Sequence, residues 1–175
     1  MRYVMIYGVL SGAIVVAVIV AGLAFDLPSH LQSMWFGYLI MVTALSLIFV
    51  GIKRYRDLEC GGVVRFGRAF AVGLGIAAVA GAVYVAGWEA YLATAGQDFM
   101  AEYTAGVLAE MRASGASAAE LAKAQADMAW AVELYRHPLQ RMVITFTEIF
   151  PVGLVVALVS AAALRNPRVF PVRAS

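Results

Sequence analysis

The sequence predicts an all-α membrane protein, with four transmembrane helices and an extramembrane helical hairpin inserted between the third and the fourth. Three observations lead there. Hydrophobic residues make up 63% of the 175 and charged residues only 14%, whereas soluble domains carry about a quarter charged residues. The apolar residues gather in nearly uncharged runs long enough to cross a hydrocarbon core about 30 Å thick, which takes roughly 20 helical residues. Before the last run the chain turns polar while keeping a helical period.

The four runs cover residues 4–25, 34–52, 70–91 and 142–164. Each must be a helix, because lipid offers no partner for open backbone groups. None alternates apolar and polar residues as a membrane barrel strand does. Trp35, Tyr38, Trp88 and Tyr91 fall near the proposed ends, where rings with a polar edge favour the interface. Arg2 and Gly22-Leu23-Ala24 give the first run the outline of a secretory signal. Its apolar stretch exceeds the usual length of about 7 to 15 residues, so a retained span is expected.

Lysine and arginine set the orientation. The first loop, 26–33, has none, while the second carries Lys53, Arg54, Arg56, Arg65 and Arg68, and the tail carries Arg165, Arg168 and Arg173. Both termini and the second loop are therefore expected in the cytoplasm. The long third connection, with Asp98, Glu102, Glu110, Glu120, Asp127 and Glu133, is expected outside. The basic loop is a candidate contact for anionic lipid through Lys53, Arg54, Arg56, Arg65 and Arg68. Beside two spans, lipid head groups are its expected acidic neighbours rather than nucleic acid.

Residues 96–137 form the expected hairpin within a single domain, 1–175. Phe99, Tyr103, Val107 and Met111 recur every four residues, and Leu121, Met128, Val132 and Tyr135 repeat the stripe. Ser114-Gly115-Ala116 breaks the two halves, and Ser117 with Glu120 fits a capping box. The stripes face each other, the membrane surface or a second copy; mutual burial is the ordinary outcome. His137 before Pro138 marks the end of the second half, and a lone histidine there is more often interfacial than a ligand.

Small residues mark seams where helices approach closely: Gly8 and Gly12 with Ser11 beside them, then Gly73, Ala77 and Gly81, then Gly153, Ala157 and Ala161. The stretch TFTEIFPVG, 145–153, is the candidate intramembrane polar site, comprising Thr145, Thr147, Glu148 and Pro151, with Glu89 near the end of the third run. Pro151 has no N–H for the carbonyl of Thr147, so a bend is expected. An ionisable residue in a span is a functional candidate by default, and withdrawal from water favours the neutral form of a carboxyl, which can donate a hydrogen bond. The bland reading is a hydrogen-bonded clamp between helices; a proton relay and a lipid or small-molecule contact are the sharper ones.

No catalytic motif emerges. GGVVRFG lacks the Gly-Lys-Ser/Thr ending of a phosphate loop, and neither H-E-x-x-H nor G-x-S-x-G occurs. No cofactor, metal or catalytic residue is expected. Cys60 is the only cysteine, so no intrachain disulfide can form.

The segments YGVLSG (7–12), WFGYLIM (35–41), LSLIFVGIKRYRD (45–57), GGVVRFGRAFAVGL (61–74), YVAGWE (84–89) and TFTEIFPVGLVVALVSAAAL (145–164) resemble the family catalogued as domain of unknown function 4199. In the polar insertion the likeness is confined to YRHP (135–138). The resemblance implies a small bacterial integral membrane protein with four helices and an insertion before the last. It marks Lys53, Arg54, Tyr55, Arg56, Glu89, Glu148 and Pro151 as motif members and implies no activity. The residues then favour a non-enzymatic structural, accessory or interaction subunit, acting as a homo-oligomer or with a larger membrane partner. A small proton-linked transporter or channel using Glu148 is the alternative, and a lipid-binding membrane protein a further one.

Overall fold

The computed structural model describes residues 1–24, 34–95 and 99–171. Among these, helices run in the order α1 (Arg2–Ala24), α2 (Met34–Leu45), α3 (Leu47–Glu59), α4 (Phe66–Ala95), α5 (Phe99–Ala113), α6 (Ala118–Arg136) and α7 (Pro138–Leu164), with no strand. The first loop, the side chains of Trp35 and Phe99, Asp98 and Arg173 lie outside the described residues. Four segments are long and apolar enough to cross a membrane: Arg2–Leu23, Gly37–Glu59, Phe66–Thr94 and Pro138–Leu164.

The second span is a single apolar course, Gly37–Glu59, with one irregular turn where α2 meets α3 at Ser46, whose backbone stays in the helical region (φ −59°, ψ −20°). At Ser46 the backbone N–H is shared between the carbonyls of Val42 (2.9 Å) and Thr43 (3.3 Å). The Ser46 hydroxyl donates to Thr43 O at 2.6 Å, and the Thr43 hydroxyl to Leu39 O at 2.7 Å. Hydroxyls that bond back to the preceding turn compete with the helical ladder and loosen it, while leaving no polar group open to lipid. The span also runs on to Glu59, past the expected end at Ile52, because its charged last turns pair among themselves. Lys53 bonds Asp57 one turn later at 2.5 Å. Gly61 (φ 62°) and Gly62 (φ 88°) then reverse the chain, with Gly62 N–H returning to Arg56 O at 3.0 Å, a helix ending that requires the left-handed region.

The chain divides into two compact units: Met1–Gly87 with the chain from Phe146 on, and Trp88–Thr145. In the first, the small-residue rows are where helices meet. A Cβ built on Gly12 would lie 2.6 Å from the Ala80 carbonyl oxygen, and one on Gly8 2.5 Å from Val79 Cβ, so α1 lies directly against α4. On its other side α4 meets α7. A Cβ on Gly73 would be 2.9 Å from Ala157 Cβ, one on Gly153 2.8 Å from Ala77 Cβ, and one on Gly81 2.6 Å from the Phe146 ring. Around these seams Val15, Leu45, Ile48, Ile52, Ile76 and Leu164 are fully buried. Close backbone approach of this kind supplies the dispersion contacts that drive helix association in lipid.

In the second unit α5 and α6 pack on each other. Their turn reads as expected: Ser117 caps α6, its hydroxyl accepting from Glu120 N–H at 3.3 Å while the Glu120 carboxylate accepts from Ser117 N–H at 2.7 Å. On α5 the expected Val107 and Met111 are half-buried. Leu108 is its buried residue, whereas Tyr103 is 57% exposed; Leu121, Met128, Val132 and Tyr135 on α6 are half-buried. His137 caps the C-terminus of α6, and Pro138 opens α7 rather than ending α6, a position that suits a residue with no N–H to donate.

Two predictions arise here. Gly106, in mid α5, has open space where a Cβ would sit. Gly106→Ala is expected to stabilise the second unit by about 0.5–1 kcal/mol through helix propensity, read as a raised melting temperature. The capping hydrogen bonds, first from the Ser117 backbone and then from its side chain, hold the Glu120 carboxyl below its usual range. The folded pKa is the lower one, so the cap's contribution is complete above the ordinary glutamate range and is lost as pH falls through the depressed value. A carboxyl NMR titration is expected to place Glu120 below the ordinary glutamate range, and Ser117→Ala to return it part of the way, since the backbone bond remains.

Candidate functional site

Glu148 lies on α7, and its Oε2 accepts a hydrogen bond from the Tyr84 hydroxyl of α4 at 3.4 Å. The bond is long and therefore weak. Tyr84 is 5% exposed and belongs to the core stripe of α4 with Ile76 and Ala80. Glu148 is different: protein crowds one side of it, yet the side chain is exposed at the helix surface. Thr147 and Pro151 are exposed with it, while the next residue, Ile149, is buried. The helix continues through Pro151 to Leu164. The polar turn thus points outward from the first unit, with Gly153 on the opposite side admitting Ala77 of α4.

Thr145 and Glu89 belong to the second unit. The Thr145 hydroxyl is buried and has no hydrogen-bond partner among the described residues. Glu89 has a dedicated cation. Arg141 Nε donates to its Oε1 at 2.7 Å and Nη2 to its Oε2, a two-pronged pair, while Arg141 Nη1 donates to Tyr135 O at 2.9 Å. One guanidinium therefore ties the end of α4, the end of α6 and the first turn of α7, using the fork geometry that lysine lacks. Arg141→Ala is expected to cost about 1–3 kcal/mol by leaving the carboxylate without its donors, seen as earlier melting. The two acids considered together from sequence thus have separate partners, Arg141 for Glu89 and Tyr84 for Glu148.

The basic loop needs one correction. Arg56 is not a surface contact for lipid: its side chain is fully buried. Nε donates to Asp57 Oδ1 at 2.8 Å, Nη1 to Val169 O at 2.9 Å and more distantly to Leu164 O at 3.5 Å, and Nη2 to Phe170 O at 2.6 Å. The guanidinium satisfies the open carbonyl end of α7 and pins the segment after it, where Phe170 sets its ring 5.6 Å from Phe49. Arg54, Arg65 and Arg68 remain exposed and Lys53 is half-exposed. Tyr3 on α1 donates to Glu59 at 3.2 Å, so the start of α1, the end of α3 and the end of α7 share one end of the first unit.

Three roles were missed by reading the sequence: the buried clamp of Arg56, the Tyr84 bond to Glu148 and the Arg141 pair with Glu89. Arg56 follows Ile48 and Ile52 at spacings of four, and Tyr84 follows Ile76 and Ala80 likewise, so helical period alone points both inward. Arg141 carried a weaker signal as a lone cation seven residues before Glu148. An open recess of about 360 Å³ between α1 and α2–α3, lined by Ile14, Val18, Leu39 and Leu47, offers only Thr43 as a polar side chain. The Thr43 hydroxyl is already committed to Leu39 O. Among the described residues no three His, Cys, Asp or Glu side chains gather as a metal site would need.

Comparison with curated proteins and with solved structures yields no match. The family description "Protein of unknown function (DUF4199)" matches residues 6–166, from the first turns of α1 to just past the end of α7. A match over that much of the chain includes Glu148, Tyr84 and Arg56, though not the Val169 and Phe170 carbonyls that Arg56 holds, and the protein belongs to the DUF4199 family.

Proposed function

We propose that the protein is a non-enzymatic membrane subunit that works by contact with another protein in the bilayer. The observation that carries this reading is the position of Glu148, inside a span yet on the outward surface of α7. A carboxyl facing lipid is expensive, and such groups are ordinarily turned toward protein or water; a partner lying against α7 removes the cost. The orientation that accompanies this reading places the protein in the inner membrane of a bacterial cell, with α5–α6 outside and both termini and the loop after α3 in the cytoplasm. It draws support from the cations on that loop and tail, and from the shared end held together by Arg56 and by Tyr3 with Glu59.

Transport through a single copy draws less support. Glu148 is exposed at the surface with Tyr84 as its donor, and Glu89 is bound by Arg141, so each acid is held by a separate partner rather than joined to the other in a relay. Lipid contact is compatible with the subunit reading, through Lys53, Arg54, Arg65 and Arg68 without Arg56. Neutralising Arg54, Arg65 and Arg68 is expected to reduce co-purified anionic lipid while leaving the fold intact. Mass measurement in mild detergent and in membrane discs tests the main reading: a stable assembly larger than one chain is expected. A lone monomer that retrieves nothing from native membranes, or proton flux in liposomes abolished by Glu148→Gln, overturns it.

A further inference from the structure

Charge does not balance at the end of the first unit where α1 begins, α3 ends and α7 ends. The acids there are Asp57 and Glu59. Asp57 takes Lys53 and Arg56, and Glu59 accepts from the Tyr3 hydroxyl, which in turn accepts from Arg2. Arg54, Arg65, Arg68, Arg165 and Arg168 are exposed and have no acidic partner among the described residues. Their places on the chain put them at the edge of the bilayer. Arg54 is in the last turns of the span Gly37–Glu59, Arg65 and Arg68 flank the start of Phe66–Thr94, and Arg165 directly follows Leu164. Exposed cations at that depth stand among lipid head groups, whose phosphates are the anions within reach.

The two arginines after α7 are not on a loose tail. From inside, Arg56 donates to the carbonyls of Val169 and Phe170. Within the segment, Arg168 N–H donates to Asn166 Oδ1 at 3.0 Å and Val169 N–H to Asn166 O at 3.1 Å, while the Phe170 ring lies against Phe49. Residues 165–170 are thus a fixed turn docked on the end of α3, and it carries Arg165 and Arg168. A cation on a fixed turn binds without the ordering cost that a free tail pays, and a guanidinium meets a phosphate with two parallel donors. We propose that Arg165 and Arg168 complete, with Arg54, Arg65 and Arg68, a rim that docks the phosphates of anionic phospholipid, and that Arg56 is its positioning residue. Arg56 touches no lipid; it holds the tail half of the rim against the α3 half. The proposal rests on the lipid-contact reading of the loop after α3 and adds to it the tail and the residue that anchors the tail.

The test titrates the full chain in mild detergent with phosphatidylglycerol, and in parallel with phosphatidylcholine, and counts bound lipid by native mass spectrometry below the melting temperature of each variant. Arg165→Gln combined with Arg168→Gln is expected to weaken phosphatidylglycerol binding about tenfold to thirtyfold, at roughly fivefold for each arginine near the surface, and to leave phosphatidylcholine unchanged. Arg56→Lys keeps every exposed charge, yet is expected to lower phosphatidylglycerol binding in the same sense and to add little on top of the tail pair, because residues that act through one another are not additive. Phe170→Ala, which loosens the same turn without touching Arg56, is expected to do likewise. Lys123→Gln, at an exposed cation of α6, should change nothing; a loss there equal to that of a tail arginine overturns a located site in favour of net charge. Losses from Arg56→Lys and the tail pair that simply add overturn the positioning role. A tail pair that binds phosphatidylglycerol as the unaltered chain does, while neutralising Arg54, Arg65 and Arg68 lowers it, overturns the proposal and leaves the lipid-contact reading standing; no loss from either set overturns both.

Discussion

Replacing Arg56 by methionine is expected to destabilise the protein by about 3–5 kcal/mol, the usual cost of removing one member of a buried charged network. Methionine fills much of the volume but donates nothing. The carbonyls of Val169 and Phe170 would lose the donors that hold them and the Asp57 carboxylate would keep only Lys53, and a polar group left without a partner adds its own penalty. Arg56→Lys should recover only part of the loss, since one ammonium cannot reach groups on two elements in the fork geometry of a guanidinium. Both variants are expected to melt earlier and to expose the segment after Leu164 to protease, with lysine intermediate. Arg54→Met, at an exposed position on the same helix, should change neither.

The second large effect is expected at the α1–α4 seam. A Cβ on Gly12 would press within 2.6 Å of the Ala80 carbonyl oxygen and 2.7 Å of Val83 Cβ, and a backbone atom cannot turn aside as a side chain can. Gly12→Leu must therefore push the helices apart along a seam that also includes Gly8 against Val79. Overpacking typically costs about 1–3 kcal/mol. Here it is expected at the upper end, because separated helices lose contacts with nothing but lipid to replace them. Gly37→Ala, where no atom lies within 4 Å of the added carbon, is the matched control and should leave the melting temperature unchanged or raised. Equal losses at Gly12 and Gly37 would show that the seam is not where α1 is held.

Much of the architecture was legible because membrane helices announce themselves locally. A run of apolar residues needs no knowledge of its neighbours, and neither does a row of small residues four apart; Gly8 with Gly12, and Gly73 with Gly153 and Ala157, lie where such rows should. The capping box at Ser117 and Glu120 was equally local. Pairings between helices were not legible in the same way. Arg141 with Glu89, and Tyr84 with Glu148, join residues 52 and 64 positions apart, and no spacing along the chain encodes which faces meet.

Arg56 illustrates a different kind of miss. Its neighbours Lys53 and Arg54 made it look like one more surface cation, although its period with Ile48 and Ile52 runs inward. Charge outweighed position in that reading, and the open carbonyls after Leu164 that receive the guanidinium lie more than a hundred residues away. The irregular turn at Ser46 was hidden too: Thr43 and Ser46 sit in an apolar run that reads as one helix, and the hydroxyl bonds to Leu39 and Thr43 that loosen it there are choices of rotamer. Glu148 was correctly singled out as a polar residue in a span. Whether its side of α7 faced the bundle or the surroundings depended on the α4–α7 contact.

The most direct measurement is therefore what touches that side of α7 in the native membrane. With a photoreactive residue in place of Leu158, exposed on α7 as Glu148 is, illumination is expected to give protein adducts well above those from the same residue at Met5, exposed on α1. Adducts with lipid alone at both positions would mean that nothing covers the Glu148 face, and would contradict the account.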